Sequence, residues 1–218
     1  MATANVELMH ITDDPEGVIE LAGRTCYKSH SGNRSVIRQW IRLGHESVIE
    51  HASATFRLQG VSRALTHQLV RHRLASYSQQ SQRYVDEVQF HYVVPGSIKA
   101  NDQALEVFND CMKQIQSAYE QLRGMGIKKE DARFVLPNAC MTEIVVTMNF
   151  RELRHFFQLR MDSHAQWEIR GVAAKMLRLV VPHAPNVFYD LVDDTILEVP
   201  TGTSTEETLP QDPTSGME

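Results

Sequence analysis

Between His51 and Val85 the chain carries five arginines, Arg57, Arg63, Arg71, Arg73 and Arg83, and no aspartate or glutamate. A run of one sign inside an otherwise near-neutral body makes a local anion site rather than a broad nucleic-acid surface. Arginine is the side chain suited to planar, two-pronged contact with a phosphate or an acidic imide. The densest stretch is Gln68–Tyr84, QLVRHRLASYSQQSQRY. On a helix, Gln68 would share a face with Arg71 and His72. After Leu74 the hydroxyls, amides and one guanidinium suit a phosphorylated polar ligand with a base or amide edge to read. The competing reading is a solvated loop, although such a loop usually carries the Lys and Glu that are missing here.

A second group is Arg133, Asn149, Arg151, His155 and Arg160. Arg151 and His155 lie one turn apart on a helix that Asn149 would open. Asp162, Ser163 and His164 precede another helix, whose free N–H groups favour negative ligand atoms. Against this stand an exposed helix arginine at Arg133 and an ordinary polar helix face at Arg151 and His155. The ten histidines show no zinc-ligand spacing and no cysteine pairs with them, so no metal is expected. Cys26, Cys111 and Cys140 lack an activating neighbour and read as structural thiols. Neither G-x-G-x-x-G nor G-x-x-x-x-G-K-[ST] occurs.

The elements that must position these residues follow from periodicity. Strands are predicted at Val6–Ile11, Ala52–Leu58 (ended by Gly60), Phe90–Val94 and Thr142–Thr147. Helices are predicted at Asp14–Tyr27, capped by Asp13 or Asp14, and at Ser35–Leu43, Val61–Arg73, Asp102–Arg123 and Lys129–Leu136. Asn149-Phe150-Arg151-Glu152 and Ser163-His164-Ala165-Gln166 both have the form of a capping box, the second opening a helix to about Val181. The order is mixed, without βαβ regularity. The expected fold is α+β, mixed helices with a mostly antiparallel sheet in a single domain.

With 218 residues, 42% apolar and 22% charged, the chain is an ordinary globular one with enough core to need no disulfide. Residues 1–199 are expected to form the catalytic domain. Residues 200–218, acidic and without aromatics, read as a disordered tail dispensable for catalysis. Sparse cysteines, no leader and no long apolar run point to a cytoplasmic protein without a membrane segment.

Arg71-His72-Arg73, seven residues and then Ser81 is an R-H-R-x7-S pattern, and in it the chain resembles the flavin-dependent thymidylate synthases, the ThyX family. Further blocks in family order are Glu50-His51, Gln68, Arg83-Tyr84, Ala132-Arg133-Phe134-Val135-Leu136-Pro137 and the run from Leu159 to Ile169. The resemblance implies FAD contacts from Ser53, Arg71, His72, Arg73, Gln79, Asn149, Phe150, Arg151 and His155, with His51 close to the flavin. Gln79 and His155 are positions where relatives also carry Glu and Asn. It implies dUMP contacts from Gln68, Arg71, Gln79, Gln80, Ser81, Gln82, Arg83, Arg133 and Arg160. Of these, Arg83 would lie near the phosphate, Ser81 near the reacting pyrimidine, and Arg160 at the N3/O4 imide.

The implied reaction methylates dUMP at C5 without a cysteine nucleophile. Carbon comes from 5,10-methylenetetrahydrofolate, electrons from NADPH and the hydride from reduced FAD; Arg160, Ser81 and His51 are the residues nearest the chemistry. The family's homotetramers place sites at subunit contacts, so the arginines need not converge within one chain. Two rivals are another FAD- or nucleotide-binding oxidoreductase using the same anion site, and a non-catalytic RNA-binding module. The near-neutral body and the scarcity of aromatics among the arginines speak against the second, so no nucleic-acid or membrane partner is expected.

Overall fold

The computed structural model describes residues 4–28 and 32–192. The chain opens on strand β1 (Asn5–Ile11), followed by helices α1 (Pro15–Tyr27) and α2 (Val36–Arg42) and a 3-10 stretch, Glu46–His51. Strand β2 (Ser53–Ser62) runs directly into α3 (Arg63–Leu69), which a short turn joins to β3 (Ala75–Gln79). A long excursion holds α4 (Gly96–Lys99), α5 (Asp102–Gly124), α6 (Lys129–Ala132) and a 3-10 turn at Arg133–Val135. Strand β4 (Met141–Asn149) and helices α7 (Phe150–Arg160) and α8 (Trp167–Val180) follow. The strands pair in the order β1-β2-β4-β3, every pair antiparallel. This is the α+β arrangement expected from the sequence.

Alternation builds the sheet. Ala54, Phe56 and Leu58 of β2 and Ile144, Val146 and Met148 of β4 point to one face and are buried. Against that face α7 sets Phe150, Leu153, Phe156 and Phe157, and α8 sets Ile169, Val172 and Met176. Each such side chain contributes about 1.5–3 kcal/mol on leaving water. The opposite face is polar: the Thr55 and Thr147 hydroxyls meet at 2.9 Å, and Arg57 Nε donates to Glu143 at 2.5 Å. Phe90, Met112 and Cys140 form a small separate core under the excursion.

Several boundaries differ from the sequence expectation, each for a local reason. Strand β2 does not stop at Gly60, which takes φ +67° at a register shift and lets pairing resume at Val61 and Ser62. Helix α3 therefore starts later than expected, at a cap that Ser62 Oγ provides to Leu65 N (3.0 Å). The polar stretch after Leu74 contains β3, an edge strand whose Tyr77 packs against the core while Ser76 and Ser78 stay exposed. Phe90–Val94 is not a strand; Tyr92 makes only an isolated bridge with Cys140. Lys129–Leu136 divides into α6 and the 3-10 turn. Asp14 makes no side-chain cap and instead holds Arg34 at 2.6 Å. Helix α8 is capped by Gln166, whose Oε1 accepts from Glu168 N and Ile169 N, not by Ser163. The tail predicted from residue 200 lies outside the described residues. Among the described residues no helix is long and apolar enough to cross a membrane.

Candidate active site

Helix α3 ends at Leu69, so Gln68, Arg71 and His72 do not share the predicted helix face. The turn that follows points His72 inward, 4% exposed, while Arg71 and Arg73 stay exposed. Tyr77 straps the turn: its Oη lies 2.8 Å from the carbonyls of both Leu69 and His72. Burial pushes the Tyr77 phenol well above its ordinary range, so it stays a donor.

His72 is the centre of a linked set. Its Nδ1 lies 2.9 Å from Glu152 Oε1, and its Nε2 accepts from Arg160 Nε at 3.1 Å. Arg160 Nη2 donates to the Gln68 carbonyl at 3.2 Å. The Phe156 ring packs edge-on against the imidazole at 5.0 Å and the His155 ring lies 5.6 Å away. Burial pushes the His72 pKa down; Arg160 and His155 push the same way, while Glu152 pulls it up. His72, Glu152 and His155 could bring three ligand atoms within 4.8 Å of one another. In this arrangement, however, both imidazole nitrogens are already committed, one of them to a guanidinium that repels cations.

The entrance of α7 forms the next wall. Asn149 Oδ1 accepts from Glu152 N at 2.9 Å, as predicted, but the Glu152 carboxylate does not return to Asn149 as a capping box would; it turns to His72. The Phe150 ring is fully buried, 5.3 Å from Phe188, and its N–H donates to the Ala52 carbonyl at 2.9 Å, so the backbone junction is fixed. Arg151 reaches out to Glu50 at 2.5 Å and Glu46 at 3.5 Å. Arg151, His155, Glu46, Glu152 and Leu74 line a cavity of about 500 Å³. Ser53 pairs with Asn149 across the ladder, and His51 is exposed just before it.

The remaining predicted residues gather at the far end of β3. Arg83 pairs with the Glu130 carboxylate at 3.2 Å, and Arg133 Nε donates to the Glu130 carbonyl, also at 3.2 Å. Ser81 Oγ accepts from Arg83 N at 3.3 Å, and the Gln80 carbonyl accepts from Arg63 Nη2 at 2.8 Å. Gln82 is buried, and its Nε2 has no partner among the described residues. The Gln79 amide is turned into the helix layer, onto Thr66 (3.0 Å) and Thr142 (3.4 Å), so its side chain joins neither group of arginines. The five residues of β3 separate the two groups by roughly 17 Å at the usual strand rise. Sequence reasoning assigned no site role to Glu152, Tyr77 or Glu46, and did not foresee Glu50 as a partner of Arg151 or Arg63 as a partner of the Gln80 carbonyl. For Glu152 the i,i+3 spacing to His155 was an available signal.

The cysteines offer no nucleophile. Cys26 and Cys111 are exposed and far from both groups in sequence. Cys140 is buried, and burial, with Glu87 adding, pushes its thiol up to about 12.

Residues 7–186 match the family described as "Thymidylate synthase complementing protein". The chain is 50% identical over 198 residues to a flavin-dependent thymidylate synthase of Geobacter sulfurreducens, with 85% of each chain covered. It is 43% identical over 210 residues to the one from Clostridium tetani and 45% identical over 211 residues to the one from Nitratidesulfovibrio vulgaris, with 84% of each chain covered.

Proposed function

The chain belongs to the flavin-dependent thymidylate synthases, and from that premise we propose how its residues divide the work. The enzyme methylates dUMP at C5 to give dTMP, taking carbon from 5,10-methylenetetrahydrofolate and electrons from NADPH. FAD, when bound, supplies the hydride. The exposed side chains of Arg71 and Arg73, with Arg151 at the α7 entrance, suit its diphosphate. His72, Ser53, Asn149, Phe150, His155 and the Gln79 backbone complete the contacts, with His51 alongside.

Arg83 and Arg133 take the dUMP phosphate, with Gln80, Ser81 and Gln82 around the nucleotide; Gln68, Arg71 and Arg160 take the uracil side. These two sets sit at opposite ends of β3, and their guanidiniums have separate partners, Glu130 for Arg83 and His72 for Arg160. Such a division suits a nucleotide gripped by two copies of the chain, in the homotetramer with sites at subunit contacts that the family resemblance implies. The reading is carried by Arg160: two fixed acceptors hold its guanidinium, and Nη1 has no partner among the described residues. An arginine so held stabilises negative charge as it develops on the imide, at no reorganisation cost.

Purified protein should be yellow, release FAD on heating, and form dTMP from dUMP, methylenetetrahydrofolate and NADPH. Colourless protein that fails to take up added FAD would sink the assignment of the flavin residues. Because Cys26 and Cys111 lie far in sequence from both groups and burial raises the Cys140 thiol, the Cys26→Ala/Cys111→Ala/Cys140→Ala variant should keep most dTMP-forming activity while losing some stability at the buried Cys140. Loss of turnover in one folded single variant would reinstate covalent catalysis by that cysteine.

A further inference from the structure

We propose that Glu152 is a positioning residue that fixes the tautomer of His72 and through it the aim of Arg160. The inference rests on the reading of Arg160 as the imide-facing arginine. A carboxylate can only accept a hydrogen bond and a guanidinium can only donate one. With Glu152 at Nδ1 (2.9 Å) and Arg160 at Nε2 (3.1 Å), one neutral form of the ring satisfies both partners: hydrogen on Nδ1, lone pair on Nε2. The other tautomer would set two N–H groups against each other at Arg160 and two acceptors against each other at Glu152. The imidazolium would satisfy Glu152 but oppose Arg160.

Burial makes the choice firm. The side chains of His72 and Glu152 are 2% and 7% exposed, so water cannot replace a lost partner, and Phe156 and the Tyr77 strap hold the ring in place. The groups facing the ring are Glu152, Arg160 and His155, and their pull on it is opposed, with Glu152 alone favouring the charged form. Glu152 itself is placed by the Asn149 cap on its N–H. The line Asn149, Glu152, His72, Arg160 thus runs from a helix entrance to the last residue of the same helix, α7. Within it Glu152 acts on Arg160 only through His72, as an outer carboxylate orients a metal-bound histidine.

The test is a two-by-two cycle on the FAD-loaded enzyme: wild type, Glu152→Leu, Arg160→Lys and the double variant. The measurements are dUMP affinity, flavin content and the rate at which dUMP oxidises the reduced, folate-loaded enzyme. Glu152→Leu should slow that oxidation about 10- to 100-fold with flavin content kept, and Glu152→Gln, which still offers an acceptor, should recover most of the loss. In the double variant the two losses should not add, because Glu152 acts through Arg160. Additive losses, or a Glu152→Leu variant as fast as wild type, overturn the proposal. If Glu152→Leu does not fold, ¹⁵N-histidine spectra of the wild-type holoenzyme decide it: His72 must show hydrogen on Nδ1, and hydrogen on Nε2 alone refutes it. A normal rate in Arg160→Lys would instead defeat the underlying assignment of Arg160, a result separable from failure at Glu152.

Discussion

Arg160→Lys should lose on the order of a hundredfold or more in the rate at which dUMP oxidises the reduced, folate-loaded enzyme, equivalent to about 3 kcal/mol of transition-state stabilisation. Lysine keeps the charge but not the fork. Its three N–H groups radiate from one atom, so they cannot reproduce the planar spread with which the guanidinium meets His72 Nε2 through Nε and the Gln68 carbonyl through Nη2 while Nη1 stays available to the ring. Flavin content should change little, because the assigned FAD contacts are other residues. Arg83→Ala sets the contrast: with Arg83 proposed as a phosphate contact at the other end of β3, its loss should weaken dUMP binding and leave the rate at saturation largely intact. An Arg160→Lys enzyme that matches wild type in the oxidation step would remove Arg160 from the chemistry.

The largest effect on stability is expected at Asp190. Arg154, with a side chain 4% exposed, makes a two-pronged pair with Asp190 (2.7 and 2.8 Å) and also donates to the Val187 carbonyl. Asp190→Asn strands that charge beside an amide. Breaking a buried pair from one side typically costs about 3–5 kcal/mol; because the Asp190 side chain is 36% exposed, solvent reduces this to about 2–3 kcal/mol. For a chain of this size the melting temperature should drop by roughly 4–12 °C. The pH dependence follows the same pair. The hydrogen bonds from Arg154 hold the Asp190 carboxyl below the usual carboxylate range. Its contribution is therefore complete above the ordinary Asp value of about 4 and is lost as pH falls through the depressed folded value. Melting curves of wild type and Asp190→Asn should converge in acid. Arg154→Met combined with Asp190→Leu should cost less than Asp190→Asn alone; if it costs more, the pair is worth more than its desolvation and this account is wrong.

Much of the fold could be read from apolar spacing. The strand at Thr142–Thr147 and the long helix from Asp102 need only their own residues, and they formed nearly where expected. The errors fall where a distant partner decides. Ser76, Ser78 and Gln79 have no strand signature, and β3 exists because β4 presents an edge for it to pair with. Ser163 does not cap α8, because the helix opens three residues later, where Gln166 Oε1 accepts from the Glu168 and Ile169 amides. The site was legible to the same degree. The residue types and the R-H-R-x7-S pattern pointed to the turn where the proposed centre, His72, lies. That His72 turns inward while its neighbours turn outward is a tertiary fact, set by Tyr77 and Glu152. The Glu152 role was hidden because its position three residues after Asn149 already had a sufficient local explanation.

The central pair of the sheet joins β2 to β4, with Ser62 opposite Met141, so the whole excursion from α3 to the Arg133–Val135 turn must be looped out before the middle of the sheet can close. Such long-range pairing belongs to the slow end of folding, because chain entropy is lost before the contacts that repay it are made. Once closed, the loop is insensitive to its own length: doubling it adds only about 0.6 kcal/mol. Residues inserted at the exposed turn around Gly126, beyond α5, should therefore leave the melting temperature almost unchanged. Shifting Met141 by a single position would move every side chain of β4 to the wrong face. In evolutionary terms the excursion is the part of this chain free to lengthen, and the junction of β2 with β4 is the part that is not.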